Sequence, residues 1–154
     1  MSSAGAVSTV MAFDYGKRRI GVAVGSTLIG TANPLTTLHH TGDPDWTAID
    51  KLVREWGPDL LLVGLPLMLD DSPSANTVDA ERFGANLQEH TGRKVIMVDE
   101  KLSSAAARDE IRARRQAGMA KRTQPGDIDK FAAQVILRTW LNQRGGRQPE
   151  NGDG

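Results

Sequence analysis

Three short apolar runs crowd into the stretch from Val10 to Leu38 with only a few residues between them, and that spacing constrains the fold more than any other feature. Parallel neighbours need a crossover of a dozen residues or more, so runs this close together have to pair as an antiparallel meander. Val10 to Asp14 reads as a strand ending on a carboxylate. Gly16-Lys17-Arg18-Arg19 makes a tight connection, Ile20 to Val24 is the second strand, and Thr31 to Leu38 the third. Pro34 inside the third run suggests an edge strand or a late start.

After Gly42-Asp43-Pro44 the rhythm changes. Trp46, Ile49, Leu52, Val53 and Trp56 recur at helical spacing, and Gly57-Pro58 ends that helix. Asp59 to Gly64 is a continuous apolar run, as expected of a strand covered on both faces. Ser74 to His90 reads as a second helix with Ala80, Phe83 and Leu87 on one side, and Lys94 to Val98 as another buried strand, ending at Asp99-Glu100. A third helix is expected from Ser103 or Ser104 to about Gln116, then a flexible loop to Gln124. Pro125-Gly126 interrupts, and Asp127 can cap a last helix carrying Ile128, Ala132, Val135, Ile136 and Trp140. The order β-β-β-α-β-α-β-α-α implies an α/β domain with one mixed sheet and flanking helices. Right-handed crossovers make the later strands parallel to the first. The carboxyl ends of strands one, four and five then share an edge, where α/β proteins put their sites.

A chain of 154 residues fits one domain. The expected division is a flexible N-terminal tail over 1–8, the folded domain over 9–142 and a disordered, glycine-rich tail over 143–154. With no cysteine, disulfides, thiolate metal sites and cysteine nucleophiles are excluded. Any metal must therefore sit on oxygen or imidazole, and three histidines, two of them adjacent, do not suggest a histidine-built site. The N-terminus lacks the charged start and apolar core of a signal peptide, and no run of about 18 apolar residues is present. The expected address is cytoplasmic, with no membrane partner. Formal net charge is zero, so affinity for nucleic acid has to come from local clustering.

Three acids fall where a site is expected. Asp14 ends strand one, Glu100 follows strand five, and Asp129 lies early in the last helix, where Ala132 and Ala133 let that helix approach the sheet. Carboxylates are hard oxygen donors suited to Mg²⁺ or Mn²⁺, and a pair of such ions can activate water and stabilise a leaving oxygen. Each acid also has a structural alternative: a hairpin turn for Asp14, an exposed loop for Glu100, the helix macrodipole for Asp129. Between Lys101 and Arg122, seven basic residues face two acids, a local excess of five positive charges that suits a nucleic-acid backbone. Gly16, Gly21 and Gly25 lack the context of a nucleotide-binding loop and read as turn and close-packing glycines, with Gly16 also able to admit a phosphate beside Asp14.

Four segments resemble the YqgF/RuvX family of Holliday-junction-resolvase-like proteins: FDYGKRRIGVAV, LLVGLPLMLD, DEKLSS and IDKFAAQVIL, in the family's order from about Val10 to Leu141. The resemblance implies an RNase H-like fold and a metal-dependent endonuclease that matures the 5′ end of pre-16S ribosomal RNA. Its alternatives are a Holliday-junction resolvase and a non-catalytic nucleic-acid-binding factor. It maps the family's three acids onto Asp14, Glu100 and Asp129 as catalytic residues and metal ligands, and its arginine onto Arg19. With Gly16, Lys101 and Arg122, Arg19 makes up the expected substrate-binding set. Implied partners are nucleic acid (precursor rRNA or branched DNA) and the ribosome, with the oligomeric state left open. The chain departs from the family pattern at Lys101, which replaces an arginine, at Gly25-Ser26, which replaces Ser-Asp, and at Asp71, which replaces a glycine.

Overall fold

A computed structural model describes the backbone of residues 7–66, 70, 72–121 and 125–152. In chain order the elements are β1 Thr9–Tyr15, β2 Arg19–Ser26, β3 Thr31–His39, α1 Trp46–Trp56, β4 Leu60–Leu65, α2 Ala75–Thr91, β5 Val95–Asp99, a one-turn 3-10 helix Glu100–Leu102, α3 Ala105–Lys121 and α4 Pro125–Gly152. The sheet runs β3-β2-β1-β4-β5. The first three strands form the expected antiparallel meander, and β4 and β5 run parallel to β1. Pro34 sits on the edge strand β3 beside a bulge between Val22 and Ala23, where its missing N–H disturbs least.

Strand alternation divides the core in two. Met11 and Phe13 of β1 face α1 and α2 and join Ile49, Val53, Phe83 and Leu87. Val10 and Ala12 face the opposite way and join Ala133, Ile136 and Leu137 of α4. Local signals set the helix starts. Asp45 accepts the Ala48 N–H at 3.1 Å to cap α1, and Ser74 forms a capping box with Thr77 at the head of α2. Thr77 also donates its hydroxyl to the Pro66 carbonyl, tying α2 to the end of β4.

Several expectations need correction. Helix α3 does not give way to a loop at Gln116 but continues to Lys121. The stretch RARRQAGMAK is polar, but apart from one glycine it consists of good helix formers, and propensity prevails over polarity there. Helix α4 starts two residues before Asp127, with Pro125 in the position where a proline costs a helix least, so Asp127 lies in its first turn rather than at its cap. The same helix extends to Gly152. A helix nucleated by packing on the sheet extends cheaply, and Arg144 lies over the Trp140 ring at 4.8 Å. Strand β5 is an edge strand in which Val98 alone is buried, because the strand order leaves its outer side without a partner. Trp56, at the last position of α1, lies off the buried stripe of Ile49 and Val53 and is 45% exposed.

Candidate active site

Asp14 is the next-to-last residue of β1 and alternates onto the face covered by α4. Its cross-strand partner is Gly21 on β2. On its other side β4 runs in parallel register, with Phe13 opposite Val63, so Gly64 lies one step further along, beside Asp14. The aspartate is thus flanked by two residues without side chains, and each gap is filled from above. A Cβ at Gly21 would run into the main-chain carbonyl of Asp129 on α4. A Cβ at Gly64 would run into the Glu100 carboxylate and Ile136. This row of glycine, aspartate and glycine lets a helix backbone and a glutamate side chain settle against the sheet on either side of Asp14. Gly25, four residues beyond Gly21, mainly makes room for the Thr31 carbonyl of β3, and only second for the Leu137 side chain of α4.

Asp14, Glu100 and Asp129 consequently line one cavity of about 310 Å³, together with Gly16, Pro66, Ser103 and Arg108. It opens at the carboxyl ends of β1, β4 and β5, the edge singled out by topology. Arg19 donates from Nε to Oδ2 of Asp129 at 2.7 Å, and the acid is the more enclosed partner, 13% exposed against 39%. The donor set is all oxygen, which suits a hard divalent cation. Among the described residues no three acidic or imidazole side chains already converge as a metal-binding group, and Asp129 is turned toward Arg19. An ion would meet that carboxylate with its Oδ2 already paired to the guanidinium.

Gly16 lines the cavity, and Arg19 adjoins it through Asp129. Lys101 does not line it: its ammonium lies 3.9 Å from Asp99, and its carbonyl accepts from Arg108 at 3.0 Å. Arg122 lies outside the described residues. The basic run on α3 is largely engaged with its own neighbours: Arg112 pairs with Asp109, Arg114 pairs with Glu110, and Arg114 stacks over Phe131 of α4 at 4.1 Å. Sequence reasoning counted Arg108 only among the basic residues between Lys101 and Arg122 and did not place it in the site. Its Nη1 donates to the carbonyls of Lys101 and Ser103, at 3.0 and 2.5 Å, which fixes a planar guanidinium at the cavity wall. Its place in the first turn after DEKLSS was the available signal.

The architecture has counterparts of known structure. RuvC from T. thermophilus, solved in complex with a Holliday junction substrate, superposes with a TM-score of 0.58 at 16% identity, over 90% of this chain and 96% of that one. A second T. thermophilus RuvC structure gives 0.57 at 14%, with the same coverage. The fold is RNase H-like. Residues 8–143 match the family described as RuvX: Holliday junction resolvase. A protein of Nitrosococcus oceani described as "Putative pre-16S rRNA nuclease" is 47% identical over 88% of this chain and 87% of its own length. One of the same description from Aeromonas hydrophila subsp. hydrophila is 42% identical over 90% and 97%. The chain belongs to the RuvX family.

Proposed function

We propose that this chain is an endonuclease that hydrolyses nucleic-acid phosphodiesters in the cavity beside Asp14, and that its substrate is the 5′ leader of precursor 16S ribosomal RNA. The observation that carries the reading is the meeting, in one cavity, of acids from two strand ends and a helix. So many carboxylates together are unfavourable unless cations join them. Asp14, Glu100 and Asp129 would hold Mg²⁺ or Mn²⁺, which supplies an activated water and neutralises the leaving oxygen. The surrounding residues position the phosphate. Arg108 presents the planar fork that Lys101 cannot, and Gly16 lets the backbone come close to Asp14. Arg19 and Lys101 add positive charge beside the cavity. The choice of precursor rRNA rests on the description of the relatives. Work at the ribosome in the cytoplasm belongs to the same proposal; among the described residues no helix is long and apolar enough to cross a membrane.

Cleavage of branched DNA is a second reading, supported by the family description. Both are tested by offering the purified protein, with Mn²⁺, a 5′-leader RNA and a synthetic four-way junction. The RNA is expected to be cut. Asp14→Asn is expected to lower the rate by roughly a hundredfold or more, the scale of removing one electrostatic group from a preorganised site, with an unchanged circular-dichroism spectrum. Equal cleavage by the variant would defeat the assignment. Salt-sensitive binding with no cleavage would show a binding factor instead.

A further inference from the structure

The turn that brings Gly16 to the cavity is held from outside by a histidine that neither lines the cavity nor coordinates anything. His40 follows directly after β3 and is only 9% exposed. Its main-chain N–H donates to the Arg18 carbonyl at 2.9 Å, extending the β2–β3 ladder past the strand ends. Its ring stacks on Tyr15 with centroids 5.7 Å apart. One ring nitrogen, Nε2, lies 2.7 Å from the Gly16 carbonyl oxygen, and the other, Nδ1, receives the Gly42 N–H at 3.1 Å.

These two contacts fix the tautomer. A main-chain N–H can only donate and a carbonyl oxygen can only accept, so Nδ1 carries the lone pair and Nε2 the hydrogen. A ring with the opposite tautomer would oppose two donors at Gly42 and two acceptors at Gly16. The neutral Nε2–H form therefore ties the loop after β3 to the turn before β2. The Gly16 carbonyl is held toward His40, and because a peptide is trans and planar, the Lys17 N–H points the opposite way. Gly16 packs against the Arg19 carbonyl so closely that a Cβ there would run into it.

We infer that His40 is a positioning residue for substrate: by donating from Nε2 to the Gly16 carbonyl it locks the Gly16–Lys17 peptide in the orientation that admits a phosphodiester beside Asp14. This role rests on the nuclease reading above; the tautomer and the latch do not. The sequence carried no hint of it, because His40 acts through a carbonyl 24 residues away.

Two substitutions separate the two ring nitrogens. In His40→Gln the side-chain amide can still donate toward Gly16 but offers Gly42 no matching acceptor. In His40→Asn the carbonyl oxygen can still accept from Gly42, but nothing reaches Gly16. Both remove the stacked ring, so a purely structural role predicts similar losses of thermal stability and of activity. The inference predicts that His40→Gln keeps kcat/KM on the leader RNA within about threefold, whereas His40→Asn loses roughly ten- to a hundredfold, the scale of a small misplacement of reacting groups. Equal losses in the two variants would overturn it. Nitrogen NMR of the histidine ring in the substrate-free wild type gives an independent readout, and a protonated Nδ1 would overturn the latch whatever the kinetics. If the wild type cuts no nucleic acid, the nuclease reading and the positioning role fall together, and the ring spectrum alone decides the latch.

Discussion

The two faces of the sheet share aliphatic side chains but differ in what is set among them. On the side of α1 and α2 the core is a stack of rings. Phe13 meets Phe83 edge-on at 5.9 Å, Phe83 stacks on Tyr15 at 5.0 Å and on Trp46 at 5.7 Å, and Trp46 lies on His90 at 4.1 Å. On the side of α4, Ala12, Ala23, Ala32 and Ala133 sit among Val10, Leu60, Leu62, Ile136 and Leu137, with no buried ring among the described residues, and Gly21, Gly25 and Gly64 lie on the same side. Large rings bury much apolar area per residue and hold helices at side-chain distance. Alanine and glycine bury less but let a helix come down until its main chain touches a strand. The first face is arranged for stability, and the second trades some of that for placing Asp129 and Glu100 on either side of Asp14.

The contrast is most directly broken at Gly21. Gly21→Ala puts a methyl group into the Asp129 carbonyl, and since both sides of that contact are main chain, α4 has to lift. Overpacking of this kind costs about 1–3 kcal/mol and occasionally more. It should therefore lower the melting temperature by several degrees and, because Asp129 moves with the helix, reduce cleavage beyond what the folded fraction explains. Phe83→Leu on the other face is the control. A smaller side chain in a tight core costs about 1–2 kcal/mol, yet the variant should cut normally per folded molecule. Thermal melts read beside initial rates test both. If the two variants lose activity in the same proportion to stability, the faces are not specialised as described.

How much of this was legible beforehand follows from the range over which each signal acts. The meander, the parallel run of the later strands and the shared edge of the three acids were readable because turn spacing, apolar periodicity and crossover geometry are local or topological. The role of Gly21 was half visible: it reads as a close-packing glycine, but which backbone it admits depends on a helix more than a hundred residues later. The end of α3 and the start of α4 were misjudged where composition looked loop-like, since helix extension is cooperative and individual residue preferences are weak. Arg108 was legible only as part of a basic run, since its partners Lys101 and Ser103 are local but its place at the cavity is not. His40 was not legible as a site residue, because it acts through a carbonyl that only the folded chain brings within reach.

A smaller effect is expected at Arg19, which holds Asp129 on the α4 side. Arg19→Ala removes a positive charge next to the acids, so the cavity becomes a better host for a cation and a poorer one for a phosphate. With an effective dielectric constant of about 20, and allowing for the exposure of the arginine, the change is on the order of 1 kcal/mol, roughly a fivefold shift. Calorimetry should show Mn²⁺ binding tightened by about that factor while kcat/KM falls. Metal binding weakened in parallel with cleavage would mean that Arg19 aligns Asp129 for the ion rather than competing with it.

The smallest predicted effect lies on the ring-stacked face, at the only tyrosine in the sequence. Burial pushes the Tyr15 hydroxyl above its ordinary value of 10.0, the negative charge of Asp79 adds to this, Arg82 opposes it, and Asp43 contributes least. The folded state thus favours the neutral phenol. In the unfolded chain the phenol ionises first as pH rises, so this contribution to stability is fully present below pH 10.0 and is lost on passing through the higher, folded value. Since Tyr15 also borders the acid cavity, its absorbance reports on both faces at once. An alkaline titration should place tyrosinate formation above the ordinary value, and Asp79→Asn should bring it part of the way down. A titration unmoved by that substitution would assign the shift to burial alone and would remove the electrostatic link between α2 and the mouth of the cavity.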